Sequence, residues 1–237
     1  MKKFLFASGL ILIVIVSSII GNYYWKYSKL PSEMKNPSTT EKELGKQMHH
    51  VTVKKEKLIS IYYPKFFHDH IDSCIHAVVD ELIHDFEDEK GKLYVDYSSY
   101  DLKEGYCSVL LTIEKNGIIT HRAWVFDLEE DTVITMHDIF SSDVLSKLEA
   151  LIEYEKKEEK QVFSSLDEIE NYYLYRNELI LFLESEEENR ITISLALLEP
   201  WIQSSFTHLL INDIDVRIID PTKPMIALTY DDGPHPQ

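Results

Sequence analysis

The chain has 237 residues, of which 44% are hydrophobic and 27% are charged, and its formal net charge is −17. This composition supports a folded core and argues against intrinsic disorder, and the length fits one large domain or two small ones. Residues 1–50 carry seven lysines and three glutamates, a net +4, so the other 17 basic and 38 acidic residues give −21. A body this acidic repels nucleic acid, so we expect no nucleic-acid partner, and it favours an exported protein.

The N-terminus has the pattern of a membrane segment. Lys2 and Lys3 precede an uncharged apolar run at residues 4–20, which is followed by aromatic residues and then by lysines (Tyr23, Tyr24, Trp25, Lys26, Lys29). This order predicts a cytoplasmic tail at 1–3 and a transmembrane anchor at 4–21. The alternative is a cleaved signal peptide, although Ser17 to Gly21 fits a cleavage site poorly.

The central part of the chain predicts a mixed α and β module. Residues 22–50 are polar and contain prolines, which predicts a tether. A β-rich stretch follows at 51–63, and an apolar stripe with helical spacing then predicts a helix (Ile71, Cys74, Ile75, Val78, Val79, Leu82, Ile83, Phe86). From residue 92 the apolar period changes to two, with a hairpin turn at Asn116-Gly117, and this pattern predicts antiparallel strands. We therefore predict an extracellular α+β module at 51–219, divisible into 51–160 and 161–219.

Two groups of possible metal or redox residues lie in this module. His76, Asp80 and His84 share the polar face of the predicted helix, but the outer pair is too far apart along the helix to hold one ion. We interpret this face as solvated. Cys74 and Cys107 are the two cysteines of the chain. They either form a disulfide or serve as small buried hydrophobic residues, and the sequence leaves that choice open.

A pair of acidic residues near the end of the chain is the strongest chemical signal. A short apolar run at 225–228 predicts a buried strand, and Thr229-Tyr230-Asp231-Asp232-Gly233-Pro234 follows it. Gly and Pro end the strand in a turn, so both carboxylates are expected at its C-terminal end. One acid of such a pair can bind a metal while the other moves a proton, although Asp-Asp-Gly-Pro is also a good plain turn.

This motif resembles the first motif of the NodB-homology polysaccharide deacetylases, Thr-Phe-Asp-Asp-Gly-Pro, with Tyr230 in place of Phe. The resemblance implies that Asp231 is the catalytic base and Asp232 a ligand of a divalent metal such as zinc. It implies that residues 220–237 begin a deacetylase domain, so that the chain ends in the first strand of an incomplete β/α barrel. On this interpretation the chain binds no metal stably and is inactive by itself.

Residues 92–151 combine a predicted meander, the step Phe126-Asp127-Leu128 followed by Thr-x-x-Asp-Ile-Phe at 135–140, and a predicted helix. In this order they loosely resemble the extracellular modules of membrane-anchored peptidoglycan deacetylases and of some anti-sigma factors. The resemblance implies a cell-wall glycan partner, which exposed aromatic residues such as Tyr94, Tyr106 and Trp124 would contact unless they pack in the core.

The resulting hypothesis is a bacterial, Gram-positive, single-pass membrane protein with its main part outside the cell. Its predicted fold class is α+β, with an N-terminal transmembrane helix, antiparallel sheets with packed helices, and the first strand of the barrel. Its predicted function is that of the N-terminal part of a peptidoglycan N-acetylglucosamine deacetylase. The alternative is a non-catalytic module that binds or senses the cell wall.

Overall fold

The computed structural model describes residues 2–37, 42–156, 163–183, 190–209 and 220–223, and for residues 2–15, 156 and 208 it describes only the backbone. Four α-helices and nine β-strands lie in these ranges, apart from short 3-10 turns. The helices are α1 (Lys2–Lys29), α2 (Asp69–Asp85), α3 (Met136–Ile139) and α4 (Leu145–Lys156). The strands are β1 (Lys46–Lys54), β2 (Lys57–Lys65), β3 (Gly91–Lys103), β4 (Tyr106–Lys115), β5 (Ile118–Asp127), β6 (Thr132–Ile134), β7 (Tyr172–Tyr175), β8 (Glu178–Phe182) and β9 (Arg190–Ser194).

The main sheet has six strands in the order of the sequence, β1 to β6. Most neighbours are antiparallel and joined by short turns, and Asn116-Gly117 makes the predicted hairpin between β4 and β5. Both turn residues have positive φ (53° and 89°), a conformation that Asn and Gly tolerate better than other residues. The β-rich stretch at 51–63 belongs to two strands, because the chain reverses at Lys55-Glu56 between β1 and β2.

One pair of neighbouring strands, β2 and β3, is parallel. Parallel neighbours need a crossover connection, and α2 supplies it. The predicted stripe of α2 is confirmed: Ile71, Ile75 and Val79 are buried against the main sheet, whose facing side chains include Ile61, Val95 and Leu111. The sheet is therefore mixed, because this helix returns the chain to the end of the sheet at which β2 begins, and β3 then runs in the same direction as β2.

A second, three-stranded antiparallel sheet (β7-β8-β9) packs on the face of the main sheet opposite α2. Leu110 and Ala123 on that face meet Tyr173 and Ile180 of the small sheet. A larger core joins the small sheet to α4 and the β5–β6 end of the main sheet, with Val125, Leu148, Leu174, Leu179 and Ile193 among its members. The two sheets therefore share a continuous apolar core.

The predicted fold class needs correction on two points. In the part of the chain whose side chains are described, we find no helix that is both long enough and apolar enough to cross a membrane. The architecture is a six-stranded sheet with a smaller sheet packed on it, and not an incomplete β/α barrel. A β/α barrel requires successive parallel strands joined by helices, whereas one parallel pair occurs in these sheets and hairpins join most of the others.

The stretch predicted to be a tether, residues 22–50, contains ordered contacts. Leu30 and Met34 are buried against the main sheet, Ser32–Met34 form a 3-10 turn, and β1 begins at Lys46. The sequence pattern misses these contacts because two apolar residues in a polar stretch show no periodicity.

Candidate functional site

The two acidic residues of the deacetylase-like motif, Asp231 and Asp232, lie outside the described residues. The described segment nearest to them in sequence is 220–223, eight residues before Asp231 at its closer end. The contacts that hold this segment on the folded module are therefore the described contacts nearest to the motif in sequence.

Segment 220–223 is held by one side chain of α4, and we call this contact the C-terminal anchor. The Lys147 ammonium lies 2.6 Å from Asp220 Oδ1, 2.5 Å from Asp220 Oδ2 and 2.6 Å from Thr222 Oγ1. The Lys147 side chain is 9% exposed and that of Asp220 is 15% exposed. Because an ammonium has three donors, these three acceptors match its hydrogen-bonding capacity.

The anchored segment is also shaped by its own hydrogen bonds. The backbone N–H and the hydroxyl of Thr222 both donate to Asp220 Oδ1, at 3.0 and 2.7 Å. The Thr222 hydroxyl therefore accepts from Lys147 while it donates to Asp220. Hydrogen bonds from Lys147 and Thr222 hold the pKa of Asp220 well below its usual range. This carboxylate therefore stays ionised at acidic pH values at which an ordinary aspartate is protonated.

Lys147 is the residue of this contact that sequence reasoning missed. It stands three residues after Val144 and four before Leu151, on the apolar side of α4, where both neighbours are buried. A lysine inside an apolar helical stripe requires a buried acidic partner. The position of Lys147 in the stripe could therefore have indicated a buried ion pair from the sequence. The partner lies 73 residues away, so no local pattern identifies it.

Near the N-terminus, the segment that follows α1 also packs on the main sheet, and we call residues 30–36 the N-terminal strap. Leu30 and Met34 are 3% and 2% exposed and pack with Val51 of β1. The hydroxyls of Tyr27 and Tyr62 both donate to the carbonyl oxygen of Lys35, at 2.8 and 2.6 Å. Two apolar side chains and several backbone carbonyls therefore fix the strap on the main sheet.

A histidine connects the end of α1 to this strap. The Ser60 hydroxyl donates to the Met34 carbonyl oxygen at 2.8 Å, so it accepts from His49 Nε2 at 2.9 Å. Nε2 then carries the proton of the neutral ring, and Nδ1 accepts from the Tyr23 hydroxyl at 2.7 Å. The ring also stacks on Tyr62, with 3.9 Å between centroids. Burial, with a smaller contribution from His50, lowers the pKa of His49 to about 4, which agrees with a neutral ring in this network.

The polar face of α2 does not assemble a metal site in the described structure. His76 packs against the Tyr63 ring with 5.3 Å between centroids, and His84 lies 3.7 Å from Glu87. Within the described residues, no group of three or more His, Cys, Asp or Glu side chains is placed to hold a metal ion. The metal ligand predicted from the motif, Asp232, lies outside those residues.

Both cysteines are free thiols. Cys107 is buried in the core between α2 and the main sheet, and burial raises its pKa to about 12. Cys74 lies on α2 and packs against the same core. Of the two roles that the sequence left open, the structure shows the apolar packing role.

The three aromatic residues considered for sugar contact pack against other rings. Trp124 stacks on Phe126, Tyr94 contacts Tyr62 edge to face, and Tyr106 lies 5.3 Å from Phe206 between ring centroids. Each is partly buried by these contacts. They therefore serve packing, as the alternative interpretation of the sequence states.

A different aromatic residue, Phe67, is exposed. It lies between β2 and α2, it has φ of 65°, and it is 68% exposed, more than the other large hydrophobic residues of the described chain. The backbone N–H groups of Phe66 and Phe67 donate to the two carboxylate oxygens of Asp72, at 2.8 and 3.0 Å. The Lys65 ammonium lies 5.3 Å from the ring centroid. A bulky residue with positive φ is strained, and Asp72 holds the backbone in this conformation.

No protein-family model matches the chain. Two solved structures of DUF3298 family proteins are similar in shape at low sequence identity. The protein from Pseudomonas aeruginosa PAO1 has a TM-score of 0.48 and 11% identity, covering 69% of this chain and 94% of that one. The protein from Bacteroides fragilis NCTC 9343 has a TM-score of 0.42 and 14% identity, covering 73% of this chain and 99% of that one.

A curated relative is the peptidoglycan-N-acetylmuramic acid deacetylase PdaC of Bacillus subtilis strain 168. It is 20% identical over an alignment that covers 96% of this chain and 60% of PdaC. The chain thus spans about three fifths of the length of this relative. The comparison shows that the chain is distantly related to a peptidoglycan deacetylase.

Proposed function

We propose that this chain is part of a metal-dependent deacetylase that removes N-acetyl groups from cell-wall glycan. The observation that carries the proposal is the Asp231-Asp232 motif in a chain that aligns over 96% of its length with a peptidoglycan deacetylase. In this proposal Asp231 takes a proton from the water that attacks the acetamide carbonyl. Asp232 is one ligand of a divalent metal ion such as zinc.

The proposed substrate class is N-acetylated peptidoglycan. The motif resemblance favours N-acetylglucosamine, whereas the name of the relative specifies N-acetylmuramic acid. The two sugars differ at the 3-oxygen, which carries a lactyl carboxylate in N-acetylmuramic acid. Identifying which of the two sugars has lost its acetyl group therefore decides between these substrates.

The test measures acetate release from purified peptidoglycan by the protein that carries this chain, with added zinc and analysis of the deacetylated sugar. We expect Asp231→Asn to lower the turnover about 100-fold or more, because a positioned base contributes at least that factor. Asp232→Asn is expected to lower both turnover and zinc affinity. Asp88→Asn changes an exposed acid far from the motif in sequence and is the matched control. Absence of acetate release by the unmodified protein from either sugar would overturn the proposal.

We propose the cell membrane as the location, with the N-terminal helix attached to it and the main part outside the cell. The net positive charge of residues 1–50 supports attachment, because anionic headgroups attract basic segments. The acidic remainder supports export. Protease added to intact cells is expected to cleave the main part. Full protection from the protease would contradict this arrangement.

A second candidate function is cell-wall binding by the folded module without catalysis, and the exposed Phe67 ring favours it. Aromatic rings bind sugars through the apolar C–H face of the pyranose, and this ring is held facing solvent by Asp72 despite a strained backbone. The nearby Lys65 can pair with the carboxylates of the wall peptide.

The substitution Phe67→Gly separates binding from folding. Glycine tolerates a φ of 65°, so this variant should keep or raise the melting temperature while it loses the ring. We expect weaker co-sedimentation of the protein with purified cell wall. Tyr154→Ala removes another exposed ring, on α4, and is the control. Unchanged sedimentation of the Phe67→Gly variant would remove the support for this second function.

A further inference from the structure

We infer that His49 is a proton-operated latch: its neutral ring holds α1 on the main sheet, and the protonated ring releases α1. We call the contact between Tyr23 of α1 and His49 of β1 the helix latch. The inference does not depend on the proposed deacetylase activity, because it concerns how α1 is joined to the folded module.

The helix latch lies where α1 crosses β1. The Tyr23 hydroxyl donates to His49 Nδ1 at 2.7 Å, and the two rings meet edge to face with 5.9 Å between centroids. The Tyr27 ring meets the His49 ring in the same way, also at 5.9 Å. On the sheet, the His49 ring stacks on Tyr62 and donates from Nε2 to Ser60. One imidazole ring therefore contacts the helix and the sheet at once.

The helix side of this ring is the side that can open. Ser60 is fully buried in the sheet, whereas Tyr23 is 38% exposed. The hydroxyl of Tyr27 donates to the Lys35 carbonyl of the N-terminal strap, so the last turn of α1 stays attached through the strap. The part of α1 before Tyr27 can therefore move away from β1 while the strap and the main sheet keep their contacts.

The surroundings of the ring suit its neutral form. Titratable or charged side chains come from every element around it: Tyr23, Lys26 and Tyr27 of α1, His50 of β1, Tyr62 of β2, Tyr94 of β3, and Glu33 and Lys35 of the strap. Glu33 is paired with Lys92 at 2.8 Å. Asp80 of α2 interacts with His50, whose side chain points to the other face of β1. In the described residues, no carboxylate hydrogen-bonds to the His49 ring or pairs with it.

Protonation changes both the hydrogen bond and the charge at the latch. The added proton goes to Nδ1, because Nε2 already carries one, so Nδ1 no longer accepts from the Tyr23 hydroxyl. The positive charge is then enclosed by aromatic rings without a carboxylate to balance it. Movement of Tyr23 away from the ring admits water, which hydrates the charge.

The size of the effect follows from the two protonation equilibria. Burial, with a smaller contribution from His50, lowers the pKa of His49 to about 4 in the closed latch, against 6.5 for an ordinary histidine. The open latch therefore takes up the proton first as pH falls. For an open ring with the ordinary pKa, the ratio of open to closed molecules rises about 20-fold between pH 7 and pH 5.

The test is NMR of the full chain in detergent micelles, with nitrogen-15 in the histidine rings and carbon-13 in the tyrosines. The ring nitrogens report protonation of His49, and nuclear Overhauser effects report its distances to Tyr23 and Tyr62. Between pH 7 and pH 4 we expect the Tyr23 contact to disappear with the same midpoint as ring protonation. The Tyr62 contact should remain, and it is the internal reference because it involves the same ring.

Three variants separate the latch from general loosening. Tyr23→Phe removes the hydroxyl at a partly exposed position, so the pKa of His49 should rise toward 6.5. His49→Phe keeps a ring that cannot take up a proton, so its contact with Tyr23 should persist from pH 7 to pH 4. His50→Gln is the matched control and should leave the loss of the Tyr23 contact coupled to protonation of His49. A Tyr23 contact that persists after His49 is protonated would overturn the inference, and so would its loss at the same pH in His49→Phe.

Discussion

The two segments that flank the folded module are held by different physical interactions. The N-terminal strap buries Leu30 and Met34 and directs its backbone carbonyls to side chains of the main sheet. The C-terminal anchor instead relies on one lysine and its two polar partners. Apolar burial is non-directional and stabilises through the area removed from water, whereas a buried ion pair with short hydrogen bonds depends on the direction of its donors and acceptors. The difference indicates that the strap contributes mainly to stability and the anchor mainly to orientation.

The largest expected loss of stability follows a substitution in the N-terminal strap. Met34→Ala removes a side chain that is 2% exposed, and such truncations cost about 2–5 kcal/mol. Hydrogen exchange should show faster exchange at residues 30–36, together with a lower melting temperature, while residues 220–223 stay protected. Ser32→Ala, at an exposed position of the same turn, is the control. Equal loosening of both segments would show that they are not held independently.

Acidification should distinguish the two segments. The pKa of His49 is about 4 in the folded protein against 6.5 for an ordinary histidine, so the unfolded chain takes up the proton first as pH falls. The stability linked to His49 is therefore complete above pH 6.5 and is lost between about pH 6.5 and 4. The loss is at most about 3 kcal/mol, because solvent screens the partly exposed ring. The pKa of Asp220 is lowered, so the stability linked to the anchor is lost only below the ordinary aspartate pKa of 3.8.

The measurement is chemical denaturation, with hydrogen exchange at both segments, between pH 7 and 4.5. His49→Phe keeps a ring that can stack on Tyr62 and should reduce the pH dependence. Part of it should remain, because burial also lowers the pKa of His50. A pH dependence unchanged in His49→Phe would show that another group is responsible.

The smallest expected effect concerns the two tyrosines that share the carbonyl of Lys35. Tyr62→Phe removes one donor, but Tyr27 still donates to the same oxygen, so we expect a loss of about 0.5 kcal/mol. The double variant Tyr27→Phe/Tyr62→Phe leaves that carbonyl without either donor, and about 1–3 kcal/mol should be lost. Thermal denaturation of the two single variants and the double variant measures this non-additivity. Simple additivity would show that solvent replaces the lost donors.

The sequence by itself determined the local elements. The spacing of apolar residues identified α2, alternation identified the strands, and Asn116-Gly117 identified a hairpin, because these signals arise from neighbours along the chain. The motif around Asp231 and Asp232 likewise indicates the proposed chemistry without a structure, and the roles of both residues remain predictions.

The tertiary structure decided how these elements meet. The parallel pairing of β2 with β3, the small sheet on the opposite face, and the burial of Leu30 and Met34 depend on contacts between distant residues. Lys147 and Asp220 are 73 positions apart, and Ser60 is 26 positions from Met34. No periodicity in the sequence encodes such pairs, because their partners are selected by the shape of the assembled core.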